Sequence, residues 1–147
     1  MKKFTRQTSR KVPTADVNLD FGAAGASVAR LFEPGEYRLR IETARVIQND
    51  QNVSVVLNLI EIESGSRVDI RPLWVDGPNA GVGDLAGRNQ HLLGQLLTLR
   101  ELPTAGKLGD LIPQLAGLEF DARLVLDPDN RTGRTYNALA DITDGGP

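Results

Sequence analysis

The 147-residue chain has the size of one domain, and 40% hydrophobic with 24% charged residues is an ordinary globular balance, so disorder throughout is excluded. Cysteine is absent, which excludes a disulfide framework and any thiolate metal site. The net charge of -2 is unevenly spread. Lys2, Lys3, Arg6, Arg10 and Lys11 all precede the first acid, Asp16, and leave a net acidic body.

Residues 1–30 show no sustained hydrophobic period and read as an extended, basic arm; its opening residues have no apolar run behind them. No stretch is long and apolar enough for a membrane span, so a cytoplasmic protein without a membrane partner is expected. A barrel domain is expected over 31–143 and a short tail over 144–147. After Pro34-Gly35, Tyr37, Leu39, Ile41 and Thr43 alternate with Arg38, Arg40, Glu42 and Ala44, which predicts a half-buried strand. The polar run Gln48 to Asn52 turns the chain into a second strand, Val53 to Ile62, apolar on both faces for part of its length. Ser64-Gly65 makes a hairpin into a third strand with Arg67, Asp69 and Arg71 on one side and Val68, Ile70 and Trp74 on the other; Pro72 marks an edge or a bulge.

A glycine-rich crossing leads to a helix from about Asp84 or Leu85 to Arg100, with Leu92, Leu93, Leu96, Leu97 and Leu99 forming its apolar stripe and Pro103 behind its end. Leu108 to Leu115 reads as a short turn. A fourth strand spans Phe120 to Leu126, residues 127–133 form a hairpin loop, and Arg134 to Ile142 is the fifth strand. Three strands, a helix and two strands predict a mainly β protein: a five-stranded OB-like barrel with the helix between strands three and four, plus the N-terminal arm.

Catalytic signatures are missing. The lone His91 lies in the leucine-rich helix and reads as a polar residue on its flank, not as a triad member or a zinc ligand. Gly106-Lys107 is followed by Leu108, so there is no phosphate loop. The pairs Glu61 with Glu63 and Asp127 with Asp129 read as surface carboxylates, the latter on a hairpin tip without the helix and distant glutamate of a calcium loop. A binding protein is expected, not an enzyme, with no cofactor or metal.

The candidate binding residues are arginines and rings. Arg38 and Arg40 leave strand one together and Arg67 and Arg71 leave strand three together, so four guanidiniums are expected along one groove suited to a phosphate backbone. Glu42 and Asp69 share those faces as candidate ion-pair partners. Trp74 and Tyr136 are the candidate stacking platforms, and Arg131 and Arg134 flank the cleft from the loop between strands four and five. Tyr37, in phase with Leu39 and Ile41, is expected in the core.

Leu31-Phe32-Glu33-Pro34-Gly35-Glu36-Tyr37 followed by Arg38 to Val46 resembles the opening of a phage-encoded family once treated as a domain of unknown function and regarded as OB-fold single-stranded DNA-binding proteins. The resemblance runs on through Gly65-Ser66-Arg67, Ile70 to Trp74, Asn89 to Leu96 and Leu118-Glu119-Phe120, and covers roughly residues 31–142. It implies a replication or recombination accessory protein that coats displaced strands in the host cytoplasm. Single-stranded DNA is therefore the expected partner, although nothing in the sequence separates DNA from RNA. A homo-oligomer is also expected, and the alternative function is an assembly protein that oligomerises through the arm.

Overall fold

The computed structural model describes residues 29–80 and 84–145. Lys2, Lys3, Arg6, Arg10 and Lys11 lie outside the described residues, whereas Ala29 and Arg30, at the end of the expected arm, form a strand. The strands are β1 (Ala29–Arg30), β2 (Gly35–Asn49), β3 (Asn52–Glu61), β4 (Arg67–Val68), β5 (Leu73–Asp76), β6 (Glu119–Pro128) and β7 (Thr135–Gly145). Strand β7 thus runs on into the expected tail, and Asp127 and Pro128 belong to β6 instead of the hairpin loop. Two short helices, α1 (Leu85–Leu99) and α2 (Leu108–Leu111), lie between β5 and β6, and 3₁₀ turns cover Pro78–Ala80 and Ile112–Leu115. No helix among the described residues is long and apolar enough to cross a membrane.

The strands form one curled mixed sheet, a half-barrel, in the order β1-β4-β3-β2-β6-β7, with β5 added to β3. The expected third strand is two short segments separated by residues 69–72, and Pro72 sits in the break because it has no N–H to give a ladder. The break also shifts the phase, so that Val75 is buried where the alternation points to Trp74, which is half-buried. Ile70 in that break makes an isolated parallel bridge to Asn137 of β7.

The alternation in β2 is not continuous. Its register against β3 shifts between Ile41 and Thr43, so Glu42 is an extra residue and every later side chain changes face relative to the expected period. Ala44 is buried and Thr43 exposed, the reverse of the uninterrupted pattern. Leu39, Ile41, Val55, Leu57, Leu59, Phe120 and Leu124 line the inside of the sheet, and α1 lays Leu92, Leu93, Leu96 and Leu97 over them. Tyr37 is half-buried at the margin of this core, edge-on to Phe32, with its hydroxyl donating to the Glu33 carbonyl at 2.6 Å.

Helix α1 is fixed at both ends by polar contacts. Asn89 Nδ2 and Gln90 Nε2 donate to the carbonyls of Trp74 and Val75, each at 2.8 Å, and so satisfy the outer edge of β5. At the C-terminus Glu101 takes a left-handed φ of 62° while its N–H bonds Thr98 and that of Leu102 bonds Leu97. That pair of bonds is a Schellman stop, which ends the helix before Pro103 is reached. Arg100 then donates to the carbonyls of Gln114 and Ala116, tying the stop to the 3₁₀ turn beneath β2.

The seam between β7 and the broken third strand is closed by Asn137, whose side chain is 1% exposed. Its Oδ1 accepts the Phe32 N–H, its Nδ2 donates to the carbonyls of Phe32 and Val125, and its own N–H bonds the Asp69 carbonyl. Asn137→Ala leaves the buried N–H and carbonyl of Phe32 without their side-chain partners and is expected to lower the unfolding free energy by about 2–4 kcal/mol. A urea titration reads this, and a loss near zero would mean that the seam is held by something else.

Candidate functional site

The register places the candidate residues on the outer face of the sheet. Arg40 is the cross-strand partner of Ile60, and Ile60 that of Arg67, so two guanidinium side chains flank one aliphatic side chain in a single row across β2, β3 and β4. Arg38 lies two residues before Arg40 on the same face. The bulge at Glu42 brings Thr43 and Arg45 onto it as well, opposite Asn58 and Val56. A last row, Ile47–Ser54–Trp74, lies about 20 Å from the first along the strands. Arg45 is thus a further candidate residue of this face that the uninterrupted period conceals.

Each of these arginines has its own electrostatic setting. Arg38 Nη1 lies 3.3 Å from Asp121 Oδ1, and Arg40 donates through Nε and Nη2 to Glu42 Oε2 at 3.1 and 3.0 Å, with Glu119 4.0 Å away. Arg45 and Arg67 have no ion pair among the described residues. Thr43 and Asn58, between the arginine rows, hydrogen-bond each other.

Arg67 owes its place to the turn before it. Glu61, 5% exposed, accepts the backbone N–H groups of Glu63 and Ser64 at 3.0 and 2.9 Å, while its own N–H bonds the Ser66 carbonyl. Burial pushes the Glu61 carboxyl up, but the hydrogen bonds from Ser64 and Glu63, with the Arg30 charge, outweigh burial and hold it below its ordinary value.

The remaining candidates gather at the seam. Val68 is buried and Ile70 packs on the core, which turns Arg67, Asp69 and Arg71 outward as the alternation predicts. The sheet curls between them, so Arg71 meets β6 and the 129–134 loop instead of β2. Its Nε and Nη2 donate to Asp127 Oδ2 at 3.1 and 2.6 Å, and its Nη1 lies 3.5 Å from Asp129 Oδ2. Arg134 Nη2 donates to Asp69 Oδ2 at 2.6 Å. The Arg71 and Arg134 guanidiniums lie 5.3 and 4.6 Å from the centre of the Tyr136 ring, so cations already cover the ring expected to stack. The Asp127 hydrogen bond raises the Arg71 pKa, and the Asp69 hydrogen bond raises that of Arg134.

The expected single groove of four guanidiniums is therefore two groups, Arg38, Arg40 and Arg67 on one side and Arg71, Arg131, Arg134 and Tyr136 on the other, joined by the segment 67–71. Beside the second group a groove of about 990 Å³ runs between α1 and the seam, lined by Arg71, Trp74, Arg88, Asp127, Asp129 and Arg131. His91 is an exposed residue of α1. Among the described residues no three His, Asp or Glu side chains are grouped to hold a metal ion. No family model matches the sequence, and no curated protein matches it either.

The Glu61 shift has a testable sign. A carboxyl held below its unfolded value contributes stability above that value, near 4.5, and the contribution is lost as pH falls through the lower folded value. Glu61→Gln is expected to be less stable than the parent at neutral pH, with a difference that shrinks as the pH falls below the ordinary value of 4.5 and through the lower folded one. Urea midpoints across that range check it; a difference constant with pH would assign the Glu61 effect to packing alone.

Proposed function

We propose that this chain is an OB-like, sequence-tolerant single-stranded nucleic-acid-binding protein, and that the strand crosses the outer face of β2, β3 and β4 toward the 129–134 loop. The observation that carries the proposal is the row Arg40–Ile60–Arg67, with Arg45 on the same face. Guanidiniums on either side of an aliphatic side chain suit phosphates flanking an unstacked base. A duplex presents its phosphates but keeps its bases stacked away from Ile60 and Val56. Neither of those side chains has a hydrogen-bonding group, which favours contact without base readout.

The fold supports the same reading. Taking β4 and β5 as one interrupted strand and setting β1 aside gives a count of five, as in an OB barrel; in support, β2 pairs with both β3 and β6, and one parallel bridge links β7 to the third strand. α1 follows the third strand, the order of a partly open Greek-key OB barrel. The resemblance to the phage-encoded family extends the proposal to replication or recombination, with DNA as the strand. β1 pairs with β4 at Arg67, at the edge of the sheet, so the chain enters beside the site, where the basic residues of the arm would add phosphate contacts. An oligomer held by the arm is the second reading, favoured by the same edge position; deleting residues 1–28 separates the two by loss of affinity or loss of size.

Ion pairs temper the salt response. Arg38 and Arg40 must leave carboxylates to reach a phosphate, and those carboxylates then take up cations, whereas Arg45 and Arg67 have no such partner among the described residues. Anisotropy with a labelled oligo-dT at several salt concentrations is expected to show binding that weakens with salt. The double variant R45A/R67A should flatten the log–log slope by about 1.4, at about 0.7 per phosphate contact on a single strand. No binding at micromolar protein in low salt would overturn the proposal.

A further inference from the structure

Two guanidiniums converge on one carboxylate oxygen at the rim of the groove beside α1. Arg71 Nη1 lies 3.5 Å and Arg131 Nη2 3.8 Å from Asp129 Oδ2. Neither distance is that of a good hydrogen bond, so the two guanidiniums act on Oδ2 chiefly by charge. The Asp129 side chain is 10% exposed and that of Arg131 85%, which leaves the cation free to swing while the anion stays in place.

The two oxygens of Asp129 have different tasks. Oδ1 accepts the Arg131 backbone N–H at 3.0 Å and closes the turn that opens the loop. The Asp129 backbone adds bonds to Arg134 and Gly133 at 2.8 and 2.7 Å. The Thr132 side chain also hydrogen-bonds the Asp129 carboxylate, and Oδ2 is the oxygen that faces the two cations. It is an anionic oxygen between two guanidiniums, the setting in which arginines bind a phosphate oxygen.

We infer that Asp129 Oδ2 occupies the place of a polynucleotide phosphate between Arg71 and Arg131, so that Asp129 is an internal competitor setting the affinity of this end of the site. The inference rests on the single-strand reading of the chain. When the strand arrives, Arg131 leaves Asp129 for the incoming phosphate, while Arg71 keeps Asp127 at 2.6 Å and turns its Nη1 to the ligand. Carboxylate repulsion then opposes binding at this point only.

The test is Asp129→Asn, which keeps an oxygen for the Arg131 N–H and removes the charge. Labelled oligo-dT is expected to bind D129N about three- to fivefold more tightly, the size of one exposed ion pair that no longer has to be broken. Adding R131A to D129N should abolish the gain. A second variant, Asp129→Ser, also closes the turn through its hydroxyl and should tighten binding if D129N folds poorly; urea midpoints of all variants identify that case. Parent protein that binds while D129N and D129S bind no better would overturn this inference and leave the single-strand reading intact. Failure of parent and variants alike in low salt would remove both.

Discussion

The arrangement depends on one buried amide. Asn137 ties two pieces of backbone that no ladder joins to β7, the lead-in at Phe32 and the break in the third strand at Asp69, and adds a bond to Val125 of β6. A hydrophobic residue there would fill the space but leave the Phe32 N–H and carbonyl unpaired, so an amide, donor and acceptor at once, closes the seam. Its neighbour Tyr136 is thereby fixed opposite Asp127 with Arg71 and Arg134 against its ring. The position of the second arginine group thus rests on backbone satisfaction as well as on its carboxylate pairs.

Charge is distributed so that the arginines stay on the surface without unbalancing it. Several are beside a carboxylate on the same or an adjacent strand or loop, and exposed pairs of this kind contribute roughly 0–1 kcal/mol each, so they stabilise the fold little. Their larger effect is on competition: a carboxylate beside an arginine lowers its net attraction for any other anion. Arg45 and Arg67, with no ion pair among the described residues, carry no such competitor there.

Much of this is legible in the sequence. Period-two runs mark β2 and β6, the leucine spacing marks α1, and Pro72 marks the break in the third strand. What escapes is whatever depends on a single unpaired residue or on curl. The bulge at Glu42 leaves composition unchanged, so the period assigns Thr43 to the buried face and conceals Arg45. Curl separates Arg71 from Arg38 and Arg40 although all leave the same surface, and no period reports the angle between strands. The Schellman stop at Glu101 is hidden as well, because a non-glycine residue takes the left-handed position.

The low aromatic content follows from the same geometry. Stacking platforms give large contributions per base, but Tyr136 is covered by cations and Trp74 lies about 20 Å from the Arg40 row, so a bound strand would meet Ile60 and Val56 in between. Aliphatic contacts are weaker and less directional than stacking. On the proposed single-strand reading, affinity would come from many small terms added along the strand, with a response to ligand length more than to base identity. Tightness then depends on how many phosphates reach an arginine whose own carboxylate does not hold it back.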